Sequence, residues 1–379
     1  MTAILTLNAG SSSLKFAVYG AAAEPEILLA GQVENLGPVA RLKLKGAPEQ
    51  EIGPADHTTA VRTILQAVEP VLAGRRVAGV GHRIVHGGKA FGAPVELTAD
   101  ILAQLATLVP LAPLHQPHNL AAVAAAQEAF PQALQIGCFD TAFHRGHPFV
   151  NDTFALPRHL YDEGVRRYGF HGLSYDYVTG VVARERPELA RGRVVIAHLG
   201  NGASMCAVHE GRSIGSTMGF SALDGLPMGT RCGQLDPGVL LYLMAKGMSA
   251  AQIEQMLYLE SGLKGLSEIS HDMRTLLASD DPRAAETIDY YVFRIRRELG
   301  AMAAVLGGLD AVVFCGGIGE NAAPIRARIM EGMEFLGLHL DTEANDAGAT
   351  DIGLGPTEIL VIRTDEERVI ARAVARALA

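Results

Sequence analysis

The chain is 379 residues long, more than a single hydrophobic core usually organises, so we expect two domains. Its formal net charge of −9 argues against binding to nucleic acid or to an anionic membrane surface. No basic segment opens the chain and no apolar run approaches the length of a membrane span, so we expect neither export nor membrane insertion.

The cysteines favour a reducing, cytoplasmic compartment. All four are far apart in sequence and form no C-x-x-C pair. Cys138, Cys206 and Cys315 lie in apolar, strand-like runs, and we expect them to be buried thiols. Cys232 lies in a glycine-rich loop and should be more exposed.

The stretch 4–19 predicts a hairpin that can bind phosphate. An apolar strand, the turn NAGSSS and a returning strand follow one another. Small residues let backbone N–H groups approach an anion, and Lys15 adds a positive charge. The spacing differs from that of a Walker loop, and on this stretch alone an ordinary polar hairpin tip is an equal alternative.

The first part of the chain predicts a layered α/β domain. Strands are expected at 26–33, 40–45, 77–81 and 134–139, and helices at 57–72, 98–109 and 118–130. The strand 77–81 leads into the polar segment HRIVHGG, and the strand 134–139 ends on Asp140. Open α/β sheets place functional residues at such strand ends.

A second domain is expected from residue 145 onwards. Strands are expected at 194–199, 205–208, 311–315 and 358–362, and helices at 174–186, 238–246, 249–259, 282–306, 323–333 and 366–378. The segment LGNGASMCAV echoes the opening LNAGSSSLKFAV. An internal duplication would place one phosphate-binding hairpin in each domain, and a chance match is the alternative.

Eleven motifs occur in order between residues 4 and 367: LNAGSSSLKF, GHRIVHGG, APLHQP, FDTAFH, RRYGFHG, AHLGNGAS, STMGF, MGTRCGQLDP, HDMR, GGIGEN and TDEE. With these motifs the chain resembles the acetate and propionate kinase family of the sugar kinase, Hsp70 and actin superfamily. The resemblance implies two duplicated α/β domains of the ribonuclease H-like type with an active-site cleft between them. Residues 1–144, completed by 367–379, would form the carboxylate side, and residues 145–366 the nucleotide side.

The resemblance also implies an activity: reversible transfer of the γ-phosphoryl group of ATP to acetate, giving acetyl phosphate and ADP. It implies a homodimer that requires Mg²⁺, for which Mn²⁺ can substitute. The reaction joins two anions, so positioning and charge compensation must carry most of the catalysis. Arginine suits this task because its planar guanidinium donates in parallel to carboxylate or phosphoryl oxygens.

The resemblance assigns the catalytic residues. It implies that Arg83 binds the carboxylate, and that Arg231 and His171 stabilise the transition state. It gives Asp140 the role of acid/base catalyst. Because a carboxylate substrate is already ionised at pH 7 and needs no proton removed, we favour a role for Asp140 in positioning Mg²⁺ or in orienting Arg83.

The resemblance assigns the binding residues as well. It places Asn8 and Glu366 on Mg²⁺, with Asp365 standing where the family has asparagine. The nucleotide is assigned to two groups: Lys15, His198, Leu199, Gly200, Asn201 and Gly202; and Asp272, Met273, Arg274, Gly317, Ile318, Gly319, Glu320 and Asn321. The carboxylate pocket is assigned to Val85, Leu114, His115, Phe170 and Ala222. Ala222 replaces a larger family proline, so we expect propionate to be a substrate beside acetate.

Other interpretations remain open at this point. The pairs His82/His86 and His115/His118 have spacings that zinc can use, but no cysteine or acidic third ligand accompanies them, which disfavours zinc. A sugar kinase of the same fold would need a polar pocket, and a nucleotide-dependent binding module would have no use for the Arg83 and Arg231 pair. A propionate or other short-chain carboxylate kinase is the alternative main activity.

Overall fold

A computed structural model describes residues 2–10 and 13–379 of the chain. The hydroxyls of Ser11 and Ser12, which belong to the predicted phosphate-binding turn, lie outside the described residues. The strands are β1 Thr2–Ala9, β2 Leu14–Gly20, β3 Ile27–Glu34, β4 Gly37–Leu44, β5 Gln50–Ala55, β6 Arg76–Ile84, β7 Val95–Glu96, β8 Leu134–Phe139, β9 Arg193–Leu199, β10 Ala203–His209, β11 Arg212–Ser216, β12 Ala311–Cys315 and β13 Glu358–Val361.

The α-helices are α1 His57–Leu72, α2 Ala99–Ala106, α3 Gln116–Ala129, α4 Phe149–Asp152, α5 Arg158–Glu163, α6 Gly172–Glu185, α7 Pro237–Ala245, α8 Ala250–Leu259, α9 Gly262–Ser267, α10 Met273–Leu277, α11 Pro282–Leu306, α12 Gly316–Asn321, α13 Ala323–Met330, α14 Thr342–Asp346 and α15 Glu366–Leu378. Terminal signals explain the long helix α11. Asp281 caps its first turn, Pro282 occupies the first helical position, and Gly307 ends it in the left-handed conformation.

The chain separates into two compact units. The first unit comprises Met1–Arg145 and Asp365–Ala379, and the second comprises Gly146–Thr364. The strand order is β5-β4-β3-β2-β1-β6-β8-β7 in the first unit and β11-β10-β9-β12-β13 in the second. Mixed α/β structure around two sheets was predicted, and it is confirmed.

The two sheets repeat one topology. In the first unit, β1 is antiparallel to β2 and parallel to β6, which is parallel to β8. In the second unit, β9 is antiparallel to β10 and parallel to β12, which is parallel to β13. The opening hairpin β1–β2 and the echoing hairpin β9–β10 therefore occupy equivalent positions in their sheets.

Several elements differ from the sequence prediction. Strand β6 continues to Ile84, so Arg83 lies within a strand and not in a loop after it. Strands β5 and β11 were not predicted, and GGIGEN forms the helix α12 although glycine is a poor helix former. The predicted burial of Cys138, Cys206 and Cys315 and the partial exposure of Cys232 are confirmed, and all four are free thiols.

The C-terminal helix α15 packs directly on the sheet of the first unit. It contacts β1, β6 and β8 and buries Ile370 and Val374. Two glycines of β6 permit this close approach: a Cβ atom at Gly81 would lie 2.8 Å from Val374 Cγ2, and one at Gly79 would lie 3.4 Å from Leu378 Cδ1. The glycines thus determine how closely α15 packs on the sheet.

We predict that Gly81→Ala destabilises the protein, because an added methyl group forces α15 away from the sheet. Overpacking of this kind costs about 1–3 kcal/mol. The measurement is the thermal melting temperature, which should fall by several degrees. Gly180→Ala is the matched control, because Gly180 lies inside α6 with open space around its Cα. A Gly81→Ala protein that melts like the control would contradict this account of β6.

Candidate active site

Three polar side chains of the first unit meet at one edge of its sheet. Asn8 lies near the end of β1, Arg83 near the end of β6, and Asp140 directly after β8. Because β1, β6 and β8 are mutually parallel neighbours, their carboxyl ends lie at the same edge. The sheet therefore brings together residues that are far apart in sequence.

Arg83 is the centre of this cluster. Its Nε donates to Asp140 Oδ1 at 3.0 Å and its Nη2 donates to Asp140 Oδ2 at 2.6 Å. Its Nη1 donates to Asn8 Oδ1 at 3.0 Å. Asp140 is 1% exposed, so this two-bond ion pair is shielded from solvent. The predicted orientation of Arg83 by Asp140 agrees with this geometry.

The N-terminus of α15 adds two carboxylates. Asn8 Nδ2 donates to Glu366 Oε2 at 3.1 Å and to Glu367 Oε1 at 3.2 Å. Asp365 caps the helix by accepting a hydrogen bond from the N–H of Arg368 at 3.0 Å. Sequence reasoning selected Glu366 alone, but Glu367 lies equally close to Asn8. The adjacent acidic pair in TDEE was the signal that could have found it.

The electrostatics of this cluster are unbalanced towards negative charge. Burial raises the pKa of Asp140, the ion pair with Arg83 opposes this, and nearby Glu366 adds to it. Burial disfavours the charged form of Arg83, but Asp140 and Glu366 outweigh that effect and raise the pKa of Arg83. Burial and Glu366 also raise the pKa of Glu367, against the opposing charge of Lys15. A cation at this edge would relieve the repulsion.

Buried amides on α3 hold the backbone beside this cluster. Asn119 accepts a hydrogen bond from the N–H of Val85 at 2.9 Å and donates to the carbonyl of Ala9 at 2.8 Å. The side chain of Gln116 accepts from the N–H of His86 and donates to its carbonyl. Of the predicted pocket residues in the first unit, Val85 is buried, whereas Leu114 and His115, just before α3, are half-buried. Lys15 is exposed on β2, directly opposite Asn8.

The second unit carries two stacked histidines. His198 lies near the end of β9, and its ring centroid is 4.3 Å from that of His171. His171 precedes α6 with a φ of 58°, a left-handed conformation that is uncommon outside glycine. Its Nδ1 lies 2.8 Å from Ser204 Oγ, which is 2.5 Å from the hydroxyl of Tyr175. A strained backbone held by buried hydrogen bonds is typical of a functional residue.

Donor groups converge on the turn between β9 and β10. A Cβ atom at Gly202 would lie 3.1 Å from His171 Nε2 and 3.9 Å from Arg231 Nη1. A Cβ atom at Gly200 would lie 3.9 Å from His198 Nε2. Because both positions are glycine, the space beside these nitrogens is open. Imidazole, guanidinium and backbone N–H groups around a glycine turn suit phosphoryl oxygens.

Arg231 is anchored on the loop that contains the substituted proline position. Its Nη1 donates to the carbonyl of Ala222 at 3.2 Å and contacts Met228 Sδ at 3.5 Å. Phe170, one residue before His171, is 3% exposed. The second unit thus brings Arg231 into direct contact with the backbone of Ala222.

A cavity of about 570 Å³ adjoins the same turn. Most of the residues predicted to hold the nucleotide line it: Gly200, Asn201, Asp272, Met273, Arg274, Gly317, Ile318 and Asn321. The guanidinium of Arg274 lowers the pKa of Asp272 to about 2, so Asp272 is ionised at neutral pH. Of the remaining predicted nucleotide residues in the second unit, Leu199 and Gly319 are buried.

The side chain of Glu320, another residue predicted to hold the nucleotide, is bound to the protein backbone. Its Oε1 accepts hydrogen bonds from the N–H of Gly316 at 2.9 Å and from the N–H of Thr364 at 3.1 Å. Gly316 opens α12 with a φ of 76°, and a Cβ atom there would lie 2.7 Å from the carbonyl oxygen of Leu199. Glu320 therefore holds the start of α12 in place, and its carboxylate is engaged by the protein backbone.

The predicted histidine pairs make structural contacts. His82 is buried and its Nε2 donates to Gln135 Oε1 at 2.8 Å. Burial lowers the pKa of His82 and of His86 to about 4. His118 stacks on His57, whose Nε2 donates to the carbonyl of Gly10 at 2.7 Å. Within residues 2–10 and 13–379, no group of three or more His, Cys, Asp and Glu side chains is arranged as a metal site.

Comparison with known proteins shows which family the chain resembles. The profile of the Acetokinase family matches residues 3–372. An acetate kinase of Methylocella silvestris is 55% identical, covering 97% of this chain and 96% of that protein. The crystal structure of Porphyromonas gingivalis acetate kinase has a TM-score of 0.90 at 36% identity and covers 100% of both chains. A propionate kinase structure from Francisella tularensis has a TM-score of 0.92 at 34% identity, covering 98% of this chain and 99% of the other.

Fold and comparisons together define the class of the enzyme: a phosphotransferase with a carboxyl group as acceptor, on the actin-like sugar kinase fold. The chain belongs to the acetokinase family. The fold, family and acetate kinase reaction predicted from the sequence motifs are confirmed. In the part of the chain that the structure describes, no helix is both long and apolar enough to cross a membrane.

We predict that Asp140→Asn lowers kcat about 100-fold or more, because Arg83 loses the charged partner that orients it. The variant should keep the acidic limb of the wild-type pH profile if Asp140 positions Arg83, and lose it if Asp140 is a base. Steady-state kinetics between pH 5.5 and 8.5 distinguish the two roles.

The control is Asp310→Asn, which breaks a similar two-bond pair with Arg193 in the second unit. This pair lies where β9 and β12 begin, whereas Asp140 follows the end of its strand. It should leave kcat within about threefold of wild type. Near-normal turnover of Asp140→Asn would remove Asp140 from the active site.

Proposed function

We propose that this enzyme phosphorylates acetate at the expense of ATP through the residues of the two clusters described above. The observation that carries the proposal is the Arg83–Asp140 pair at the carboxyl edge of the sheet. Asp140 and Asn8 accept hydrogen bonds from three nitrogens of Arg83, each by one N–H, and a guanidinium has five N–H groups. The remaining donors can bind a carboxylate whose charge Arg83 neutralises.

No general base is required in this mechanism. The acetate oxygen attacks as a preformed anion, so the barrier lies in bringing it against the γ-phosphoryl group. Arg231, His171 and His198 donate hydrogen bonds to the phosphoryl oxygens and offset the charge that develops during in-line transfer. Lys15 and the lining of the 570 Å³ cavity bind the phosphates and the adenosine.

Magnesium fits the acidic end of the first-unit cluster. Glu366, Glu367 and Asn8 offer the hard oxygen donors that Mg²⁺ prefers, and burial together with the neighbouring Glu366 raises the pKa of Glu367. We infer that Glu366 and Asn8 hold the ion and that Glu367 completes its surroundings. When bound, the ion neutralises phosphate charge. Mn²⁺, which shares the preference for oxygen donors, should substitute.

We also infer a homodimer in the cytoplasm. Helix α7 has the sequence PGVLLYLMA, yet none of its residues is buried. Leu241, Tyr242 and Met244 are 68%, 60% and 50% exposed. Such an apolar surface favours association with a second copy through a twofold axis. Four free thiols suit a reducing compartment.

The decisive experiment is trapping of the product with hydroxylamine. We predict stoichiometric acetohydroxamate from ATP and acetate, because only an acyl phosphate reacts to give a hydroxamate. A sugar kinase would phosphorylate a hydroxyl group instead, and a binding module would hydrolyse ATP slowly without an acceptor. ADP release without hydroxamate would contradict the proposal.

Ala222 favours propionate as a second substrate. Ala222 lies against Arg231 where the family carries proline, and alanine leaves more room for an acyl chain. One methylene is worth about 1–3 kcal/mol of discrimination, so a broadened preference is expected and not a switch.

We predict that Ala222→Pro lowers kcat/KM for propionate about tenfold while changing that for acetate less than threefold, because a larger side chain narrows the pocket. The measurement is kcat/KM for both acids with the hydroxamate assay. Ala222→Gly, which enlarges the site, is the matched comparison. A wild-type propionate value several hundred-fold below acetate would refute the broadened preference.

A further inference from the structure

A chain of hydroxyl groups leads away from His198. Ser174, on α6, is fully buried, and its Oγ lies 2.8 Å from His198 Nδ1. The same Oγ donates a hydrogen bond to Thr364 Oγ1 at 2.9 Å. The N–H of Thr364 is held in turn by Glu320. Neither Ser174 nor Thr364 was selected from the sequence, because each is a small polar residue far from His198 along the chain, 24 and 166 positions away respectively.

The proton of the Ser174 hydroxyl decides the state of His198. A hydroxyl group has one proton, and Ser174 gives it to Thr364. The 2.8 Å contact with His198 therefore requires Nδ1 to be the donor. We propose that Ser174 and Thr364 are positioning residues that fix His198 as the Nδ1–H tautomer and so determine what its Nε2 can offer to an anion.

The consequence appears at the glycine turn. Neutral His198 in this tautomer presents a lone pair at Nε2, on the side of Gly200, and a lone pair repels an anionic oxygen. Only the imidazolium form donates from Nε2. Binding of a phosphate group there should therefore be accompanied by proton uptake on His198. This step rests on the proposed contact between His198 and the phosphates of ATP.

Other titratable and charged groups also lie near the His198 ring. The ring of His171 stacks on it at 4.3 Å, so protonation of one ring disfavours protonation of the other. Cys315, at the end of β12, places its Sγ 3.8 Å from Nδ1. Arg231 lies near His171 at the turn, and Glu320 acts through the backbone of Thr364. The tautomer is inferred from the shortest of the contacts named here for Nδ1, the 2.8 Å hydrogen bond with Ser174.

The first test reads the tautomer directly and needs no activity. Long-range ¹H–¹⁵N correlation spectra of the full-length enzyme at pH 8.5 distinguish Nδ1–H from Nε2–H histidines, and His198→Gln assigns the signal. We expect Nδ1–H in the wild type. Thr364→Val removes the acceptor with little change in shape, frees the Ser174 proton for Nδ1, and should convert His198 to Nε2–H. Thr364→Ser keeps the acceptor and should keep Nδ1–H. A wild-type Nε2–H signal overturns the inference without any variant.

The second test measures the dissociation constant of ATP, at fixed magnesium concentration, from pH 6 to 8.5. One linked proton changes affinity by at most tenfold per pH unit. We expect wild type and Thr364→Val to bind equally at pH 6, and Thr364→Val to bind at least threefold more tightly at pH 8.5. Titration of ATP itself cancels in this ratio. Tighter binding by a variant is an outcome that structural damage does not produce.

Two further outcomes separate failure of this inference from failure of the proposed function. If the tautomers are as expected but His198→Gln binds ATP like the wild type, His198 does not contact the phosphates, and both its proposed role and the proton linkage are wrong. If His198→Gln weakens binding while Thr364→Val matches the wild type at every pH, the proposed contact stands and the tautomer linkage is overturned.

Discussion

The arrangement of polar side chains at the sheet edge of the first unit depends on one buried ion pair. Arg83 donates two hydrogen bonds to Asp140, whose carboxylate is almost closed to solvent. Breaking such a pair leaves an uncompensated buried charge, at a cost of about 3–5 kcal/mol. Forming the pair also removes two charges from water, which offsets their attraction, so the pair is weak evidence for stability. It is better evidence that Arg83 is preorganised. Asp140 and Asn8 hold the Arg83 guanidinium in a fixed orientation, and N–H groups beyond these hydrogen bonds are left over.

The surrounding fold serves to keep this pair among carboxylates that would otherwise repel one another. Parallel strands bring Asn8, Arg83 and Asp140 to one edge, and the glycines of β6 let α15 approach closely enough for Glu366 and Glu367 to reach Asn8. Each step has a packing cause. The resulting excess of negative charge at the N-terminus of α15, partly offset by the helix dipole, is where a divalent cation is most useful.

Local patterns predicted much of the fold and the types of residue in the site. Apolar runs and terminal signals identified β1, β2, α11 and α15, and the motifs identified Arg83 and Asp140. Tertiary contacts explain what sequence reasoning missed. β6 extends through Arg83 because β8 pairs with it to its end, and Glu367 joins the cluster only because α15 packs on β6. The contact between Ser174 and Thr364 leaves no local pattern at all.

The duplicated hairpins show how one scaffold acquired two chemistries. Asn8 and His198 are each the penultimate residue of the first strand, and their cross-strand partners, Lys15 and Ser204, are each the second residue of the next strand. At the first position an amide tolerates neighbouring carboxylates, because it can donate to them from Nδ2 and accept from Arg83 at Oδ1. At the second an imidazole borders a glycine turn, and in our proposal its charge depends on the hydroxyl proton of Ser174. The difference between the two hairpins is thus the sign of the charge that each is built to receive.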